Sequence, residues 1–278
     1  MVAFLISALT STGGVSGAFL ILPYQISFLG FTGPAVSSTN LLYNIIATPG
    51  GVYRYFKEGR MVWPLAWLIV LGTLPGLVLG AAVRVVWLIE PSKFKFFVGL
   101  VLLYIAGRLA FNMLKKTKIN NDISSLKMSN IKTTPRSIEL SFDGQKHTVS
   151  TVKLLFLTLI VGVIGGAYGI GGGAIIAPFL VAVFGLPIYI VAGAALFGTF
   201  VSSIAGVAIY YFLIPALING QQPVGPDWTL GILFGIGGLL GTYVGARLQR
   251  FLPSTTIKII LFLSLAFIAI KYIGGYLF

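Results

Sequence analysis

The sequence predicts an all-α polytopic membrane protein made of two inverted repeats, each a re-entrant or broken helix hairpin plus three transmembrane helices, with a small β-hairpin in the linker between them. Three observations carry this: composition, the way glycines interrupt the apolar runs, and an internal match between the two halves. Of 278 residues, 57% are hydrophobic and 9% charged, with mean hydropathy +0.98; a soluble globule needs about 25% charged residues. Successive apolar runs of roughly 20 residues each suffice to cross a hydrocarbon core. A soluble enzyme, a secreted disulfide scaffold and a disordered tail are excluded. With Cys 0, so are thiolate chemistry and cysteine metal clusters.

Taken in order, residues 2–29 are apolar but interrupted by Thr12-Gly13-Gly14-Val15-Ser16-Gly17, which reads as two half-length helices meeting at a turn. No cleavable signal peptide is expected, because no basic residue precedes this run and no small-residue cleavage site follows a short apolar core. Full spans follow at 35–56, 63–87 and 92–114, the first kinked at Thr48-Pro49-Gly50-Gly51 because proline removes a helical N–H. This first repeat covers 1–114. Residues 115–150 form a basic linker, carrying Lys115, Lys116, Lys118, Lys127, Lys132, Arg136 and Lys146. Inside it Ile138–Phe142 and Gln145–Val149 flank Asp143-Gly144, a hairpin signal. The second repeat covers 151–278. It opens with a broken segment at 152–185, interrupted by Gly169-Ile170-Gly171-Gly172-Gly173 and likewise read as two half-length helices meeting at a turn, and continues with spans at 189–213, 228–250 and 254–276.

The halves match in order. A shift of 155 residues brings Gly17 onto Gly172, Pro23 onto Pro178, Gly30 onto Gly185, Leu41 onto Leu196 and Tyr55 onto Tyr210. A shift of 165 brings Trp63 onto Trp228 and Gly72, Gly76 and Gly80 onto Gly237, Gly241 and Gly245. Duplication accounts for glycines and prolines recurring in register. Charge sets the orientation. The connection after 35–56 carries Arg54, Lys57 and Arg60, whereas its counterpart at 214–227 carries only Asp227, which puts the two on opposite sides. The basic linker and the 247–258 connection, with Arg247, Arg250 and Lys258, belong to the cytoplasm, and both termini lie outside. The 84–95 loop dissents, with Arg84, Lys93 and Lys95 against Glu90. The net charge of +13 is thus loop charge rather than a nucleic-acid footprint, and no nucleic acid is expected as a partner.

Interrupted hydrophobic segments at matching positions of two halves point to a secondary transporter with its substrate site near the bilayer midplane. Broken backbone in hydrocarbon is tolerated only where protein or a cavity satisfies it. Helices starting near Ser16 and Gly172 would direct their first N–H groups and positive dipole ends at that cavity, which suits an anion. The candidate substrate-binding residues are therefore Thr12, Gly13, Gly14, Ser16 and Gly17 at the first turn and Gly169, Gly171, Gly172 and Gly173 at the second. Beside them stand Ser38, Thr39, Asn40 and Asn44 in one half, in a cluster that also holds Ser37, and Thr199, Ser202 and Ser203 in the other. Each hydroxyl could instead bond its own helix carbonyl. The glycine triplets at four-residue spacing read as helix-packing faces. Arg54 and Arg247 are the candidate cationic residues at a cavity mouth; for arginines near span ends, snorkelling is the competing reading.

Every acid, namely Glu58, Glu90, Asp122, Glu139, Asp143 and Asp227, falls in a loop or at a span end, so no embedded carboxylate is available to carry a proton or bind Na⁺. The single histidine, His147, lies in the predicted hairpin. Neither metalloprotease nor aspartyl-protease chemistry has its groups; no enzyme activity, metal or cofactor is expected. The 169–173 run lacks the preceding strand and following acid of a dinucleotide loop.

The glycine turn followed by Pro178, Gly185-Leu186-Pro187, Ala192-Gly193 and Ser202-Ser203-Ile204-Ala205-Gly206 resembles the TauE/SafE family of sulfite and organosulfonate exporters, over both hydrophobic halves. The first half departs from that pattern at 12–17, Asn40 and Ala47. The resemblance implies a bacterial or archaeal inner-membrane carrier of a small sulfur oxyanion or related organic anion, such as sulfite or sulfoacetate. Expected partners are that anion and the lipid bilayer, with homodimerisation left open. A passive anion channel and a non-transporting assembly or sensor protein are the alternatives.

Overall fold

The computed structural model describes residues 1–12, 16–59, 61–114, 128–134, 136–142, 145–186, 188–217, 224–248 and 254–277. It is helical apart from one small sheet. The first half runs α1 (Val2–Thr12), α2 (Ala18–Phe28), α3 (Ala35–Ala47), α4 (Pro49–Lys57), α5 (Trp63–Val86) and α6 (Pro91–Leu114). The second runs α7 (Thr151–Tyr168), α8 (Gly172–Phe184), α9 (Ile188–Ala208), a π-helical stretch Ile209–Leu213, α10 (Ile214–Leu217), α11 (Trp228–Leu248) and α12 (Ser254–Leu277). Among the described residues, five helices are long and apolar enough to cross a membrane: Trp63–Val86, Pro91–Phe111, Thr151–Tyr168, Val191–Leu217 and Trp228–Gly245. The protein is a multi-pass membrane protein.

Both broken segments break where the glycines stand. At 11 residues each, α1 and α2 reach about 16 Å apiece, half a bilayer. The second segment is less even than the first. With 18 residues α7 reaches about 27 Å, because Gly162, Gly165 and Gly166 stay helical; α8 has 13. The α2 and α8 helices end in matching fashion, before Gly30 and Gly185, whose φ of 66° and 63° lie in the left-handed region. The single kinked span expected at 35–56 is instead divided at Pro49 into α3 and α4, of 13 and 9 residues, because proline has no N–H to continue the helix. Thr48 keeps helical angles there and its Oγ donates to the Asn44 carbonyl at 2.7 Å. Pro215 acts similarly after α9: without an N–H to offer the carbonyl one turn back, the chain widens into the π-helical stretch just before it.

Packing pairs exchange when the halves are swapped. Helix α5 lies along α7 and α11 along α1; α3 packs on α11 and α9 on α5; α2 packs on α3 and α8 on α9; α6 pairs with α12. The glycine triplets make the first two contacts backbone to backbone. A Cβ on Gly76 would collide with the Leu159 carbonyl of α7 and one on Gly80 with that of Val163, while Gly241 and Gly245 meet the Phe4 and Ala8 carbonyls of α1. The packing role expected for both triplets is the one they have.

Strands β1 (Met128–Thr134), β2 (Ser137–Phe142) and β3 (Gln145–Ser150) form one antiparallel sheet in that order. The expected hairpin is β2–β3, with Ile138 opposite Val149, both fully buried. Its Asp143-Gly144 turn lies outside the described residues, and β1 is an addition that the sequence reading lacked.

Candidate functional site

The two turns meet around α3. Three of its side chains, on one helical face, each donate to a backbone carbonyl at or just before the second turn. Ser37 Oγ donates to the Ala167 carbonyl at 3.1 Å, Asn40 Nδ2 to Gly169 at 2.9 Å and Asn44 Nδ2 to Ile170 at 2.9 Å. Asn40 Nδ2 also donates to the Ala18 carbonyl at 3.0 Å, so one amide bridges both broken segments. Gly169, at φ 84°, is pressed so close to the Ser37 backbone that no side chain fits. The carbonyl side of the turn is therefore turned to α3.

The N–H side is turned to α9. Gly172 begins α8, and its N–H donates to Ser202 Oγ at 3.1 Å. Ser202 Oγ donates in turn to the Thr199 carbonyl at 3.2 Å, and Thr199 Oγ to the Ala195 carbonyl at 2.9 Å. The next N–H groups of the first turn of α8 have no acceptor within the helix. Ser203 Oγ lies 2.9 Å from where a Gly171 Cβ would stand; it is fully buried and has no hydrogen-bond partner. An orphan hydroxyl beside a helix N-terminus is a donor without an acceptor, the complement of an anion. Asn40 Oδ1 is likewise buried and unpartnered.

The halves differ in how they fill matching positions. Under the 155-residue shift Ser16 corresponds to Gly171, Asn44 to Thr199 and Thr48 to Ser203. In the first half Ser16 Oγ donates to Asn44 Oδ1 at 2.6 Å and Thr48 Oγ bonds its own helix. In the second half Gly171 supplies no side chain, and Ser202 rather than Ser203 takes the Thr199 carbonyl. Ser16 and Thr48 of the first half are both bonded, whereas the second half leaves the Ser203 hydroxyl unused.

Other candidates stand elsewhere. Ser38 Oγ donates to the Val224 carbonyl at 2.7 Å, and Thr39 Oγ accepts from the Asp227 N–H at 2.9 Å; both tie α3 to the segment before α11. Gly17 caps α2 against Tyr43 and Ser7. Arg54 is half-exposed on α4 and paired with Glu58 at 2.9 Å. Thr12 ends α1; Gly13, Gly14 and the side chains of Thr12 and Arg247 lie outside the described residues. An apolar groove of about 440 Å³, bounded by Leu42, Val207, Tyr211 and Trp228 among others, has no charged residue in its lining.

Arg84 is the residue the sequence reading placed wrongly in character. An arginine at the end of a span reads as snorkelling, yet Arg84 is fully buried. Its Nε donates to Ser37 Oγ at 3.3 Å, one terminal nitrogen to the Thr32 carbonyl at 3.1 Å and the other to the Leu88 carbonyl, while the guanidinium lies 3.6 Å over the Phe94 ring. The negative ends of α5 and, through Ser37, of α7 are thereby directed at one cation. No periodicity signals this, because burial of a span end depends on which helix packs over it.

All residues of this cluster, from Ser37 to Ser203, are closed off from solvent. What the geometry offers is backbone N–H groups, neutral hydroxyls and a nearby buried cation, a set for holding an anion. A family model for the sulfite exporter TauE/SafE matches residues 1–272. No curated protein and no solved structure matches the chain. With that match spanning nearly its whole length, the chain belongs to the TauE/SafE sulfite exporter family of membrane anion transporters.

Proposed function

We propose that the protein moves a small sulfur-containing or organic anion, sulfite or a sulfonate such as sulfoacetate, across the cytoplasmic membrane by alternating access. The anion sits on the N–H side of the second glycine turn, held by the first N–H groups of α8 and by Ser202 and Ser203, with no bond made or broken. The observation that carries this reading is the orphan Ser203 hydroxyl buried beside the start of α8. In this conformation the site is shut: a Cβ on Gly171 would already stand 2.9 Å from Ser203 Oγ and 3.0 Å from Ser202 Oγ. The turn and α9 must part to admit an anion, a movement within the second half that accompanies rocking of one repeat against the other.

The halves are inverted relative to each other, with the basic linker in the cytoplasm. Burial of Arg84 supports this orientation, since it removes one charge from the dissenting 84–95 loop, and Lys93 pairs with Glu90 at 3.0 Å. Lys95 then remains as that loop's surplus. The test is counterflow in proteoliposomes. Sulfite or sulfoacetate loaded inside is expected to accelerate entry of labelled anion from outside. Flux carried as current without such acceleration would identify a channel, and no flux of any sulfur or organic anion would refute the reading.

A further inference from the structure

Arg84 is the one buried charge among the described residues, and nothing of opposite sign touches it. The acids are accounted for elsewhere: Glu58 pairs with Arg54, Glu90 turns to solvent with Lys93, Asp227 caps the start of α11 through the Leu230 N–H at 2.9 Å, and Glu139 is exposed on the sheet; Asp122 and Asp143 lie outside the described residues. The guanidinium has five N–H donors, and the described bonds use three of them, all to neutral oxygens. Carbonyls hold the group in place but leave its full positive charge in a medium of low dielectric. An ionised group inside a membrane span is expensive to bury, and where it is kept it marks function.

Its position relative to the second turn gives that charge a use. Two hydrogen bonds, 3.3 Å to Ser37 and 3.1 Å from Ser37 to the Ala167 carbonyl, connect the guanidinium to the end of α7, four residues before Gly171. We propose that Arg84 is the fixed positive charge that selects anions over neutral oxygen-rich molecules at the α8 N-terminus, acting through its field rather than by contact. Two unit charges about 10 Å apart at an effective dielectric of about 20 attract enough to raise affinity roughly ten-fold. Mobile ions do not screen this, because the group is buried. Ser37 acts as a spacer that fixes the distance, and the Phe94 ring excludes water from the cation's face.

This inference rests on the anion reading above, and wild-type binding separates the two. Calorimetry on the purified protein would compare sulfoacetate and methanesulfonate with dimethyl sulfone, a neutral near-isostere with sulfonyl oxygens and no charge, across wild type, Arg84→Lys and Arg84→Gln. Wild type is expected to bind the sulfonates and to favour methanesulfonate over the sulfone by ten-fold or more. Arg84→Lys keeps that ratio, and Arg84→Gln, which retains an amide donor for the carbonyls, lowers sulfonate affinity about ten-fold while leaving the sulfone unchanged. Equal sulfonate affinity in Arg84→Gln overturns the inference and leaves the anion reading standing; no binding of any anion to wild type overturns both. Should Arg84→Gln fail to fold, the wild-type ratio decides, since equal binding of methanesulfonate and the sulfone would show that no fixed charge is at work.

Discussion

Ser203 and Asn44 both stand beside the second glycine turn and have opposite fates. The Asn44 amide is engaged at both ends, giving Nδ2 to the Ile170 carbonyl and receiving Ser16 at Oδ1, whereas Ser203 Oγ bonds nothing. Ser203→Ala therefore removes no interaction that stabilises the fold. Its melting temperature should stay within experimental scatter of wild type while anion affinity falls ten-fold or more, the value of a hydrogen bond to a charged group at about 1.5–3 kcal/mol. Asn44→Leu strips the Ile170 carbonyl of its donor and the Ser16 O–H of its acceptor together, and should cost at least about 2 kcal/mol in thermal or denaturant unfolding in detergent. The sequence showed that polar residues gather beside the turns. It could not show which are spent, because whether an amide meets a carbonyl or a ligand is settled by the facing element.

Among the helices, the contact of α5 with α7 decides whether the fold assembles, and its glycines are not interchangeable. A side chain at Gly76 meets the Leu159 carbonyl and the Val163 amide, both backbone, whereas one at Gly107 on α6 meets nothing within 4 Å. Gly76→Leu should abolish folded protein in size-exclusion profiles, and Gly107→Leu should leave yield and melting temperature unchanged. The four-residue spacing made these packing faces legible, as proline made the break at Thr48-Pro49 legible. The length of α7 was not legible in that way. Gly162 and Gly166 suggest an early end to a helix, but they sit against the Thr73 and Leu77 backbone of α5, which holds them helical. Strand β1 was hidden for a related reason: Met128-Ser129-Asn130-Ile131-Lys132 lies in a lysine- and asparagine-rich stretch and becomes a strand by pairing with β2.

Across the whole molecule, packing partners exchange between the halves. Because α1 rests on α11 and α7 on α5, each broken segment is held against the other half's long helix, so the proposed rocking of one half against the other would reach each glycine turn. The breaks were readable from the glycine runs and from Pro49. The division of the second turn into a carbonyl side facing α3 and an N–H side facing α9 was not, since it depends on the left-handed angles at Gly169 and Gly171 together with their neighbours. The chain has no cysteine, so a single introduced thiol reports without background. The most direct measurement is the reactivity of Ser203→Cys, in right-side-out and inside-out vesicles, toward a membrane-impermeant charged maleimide. Labelling from both sides, slowed by sulfoacetate in each, is what alternating access to the α8 N-terminus predicts; a thiol that stays unlabelled from both sides while the variant still transports would contradict it.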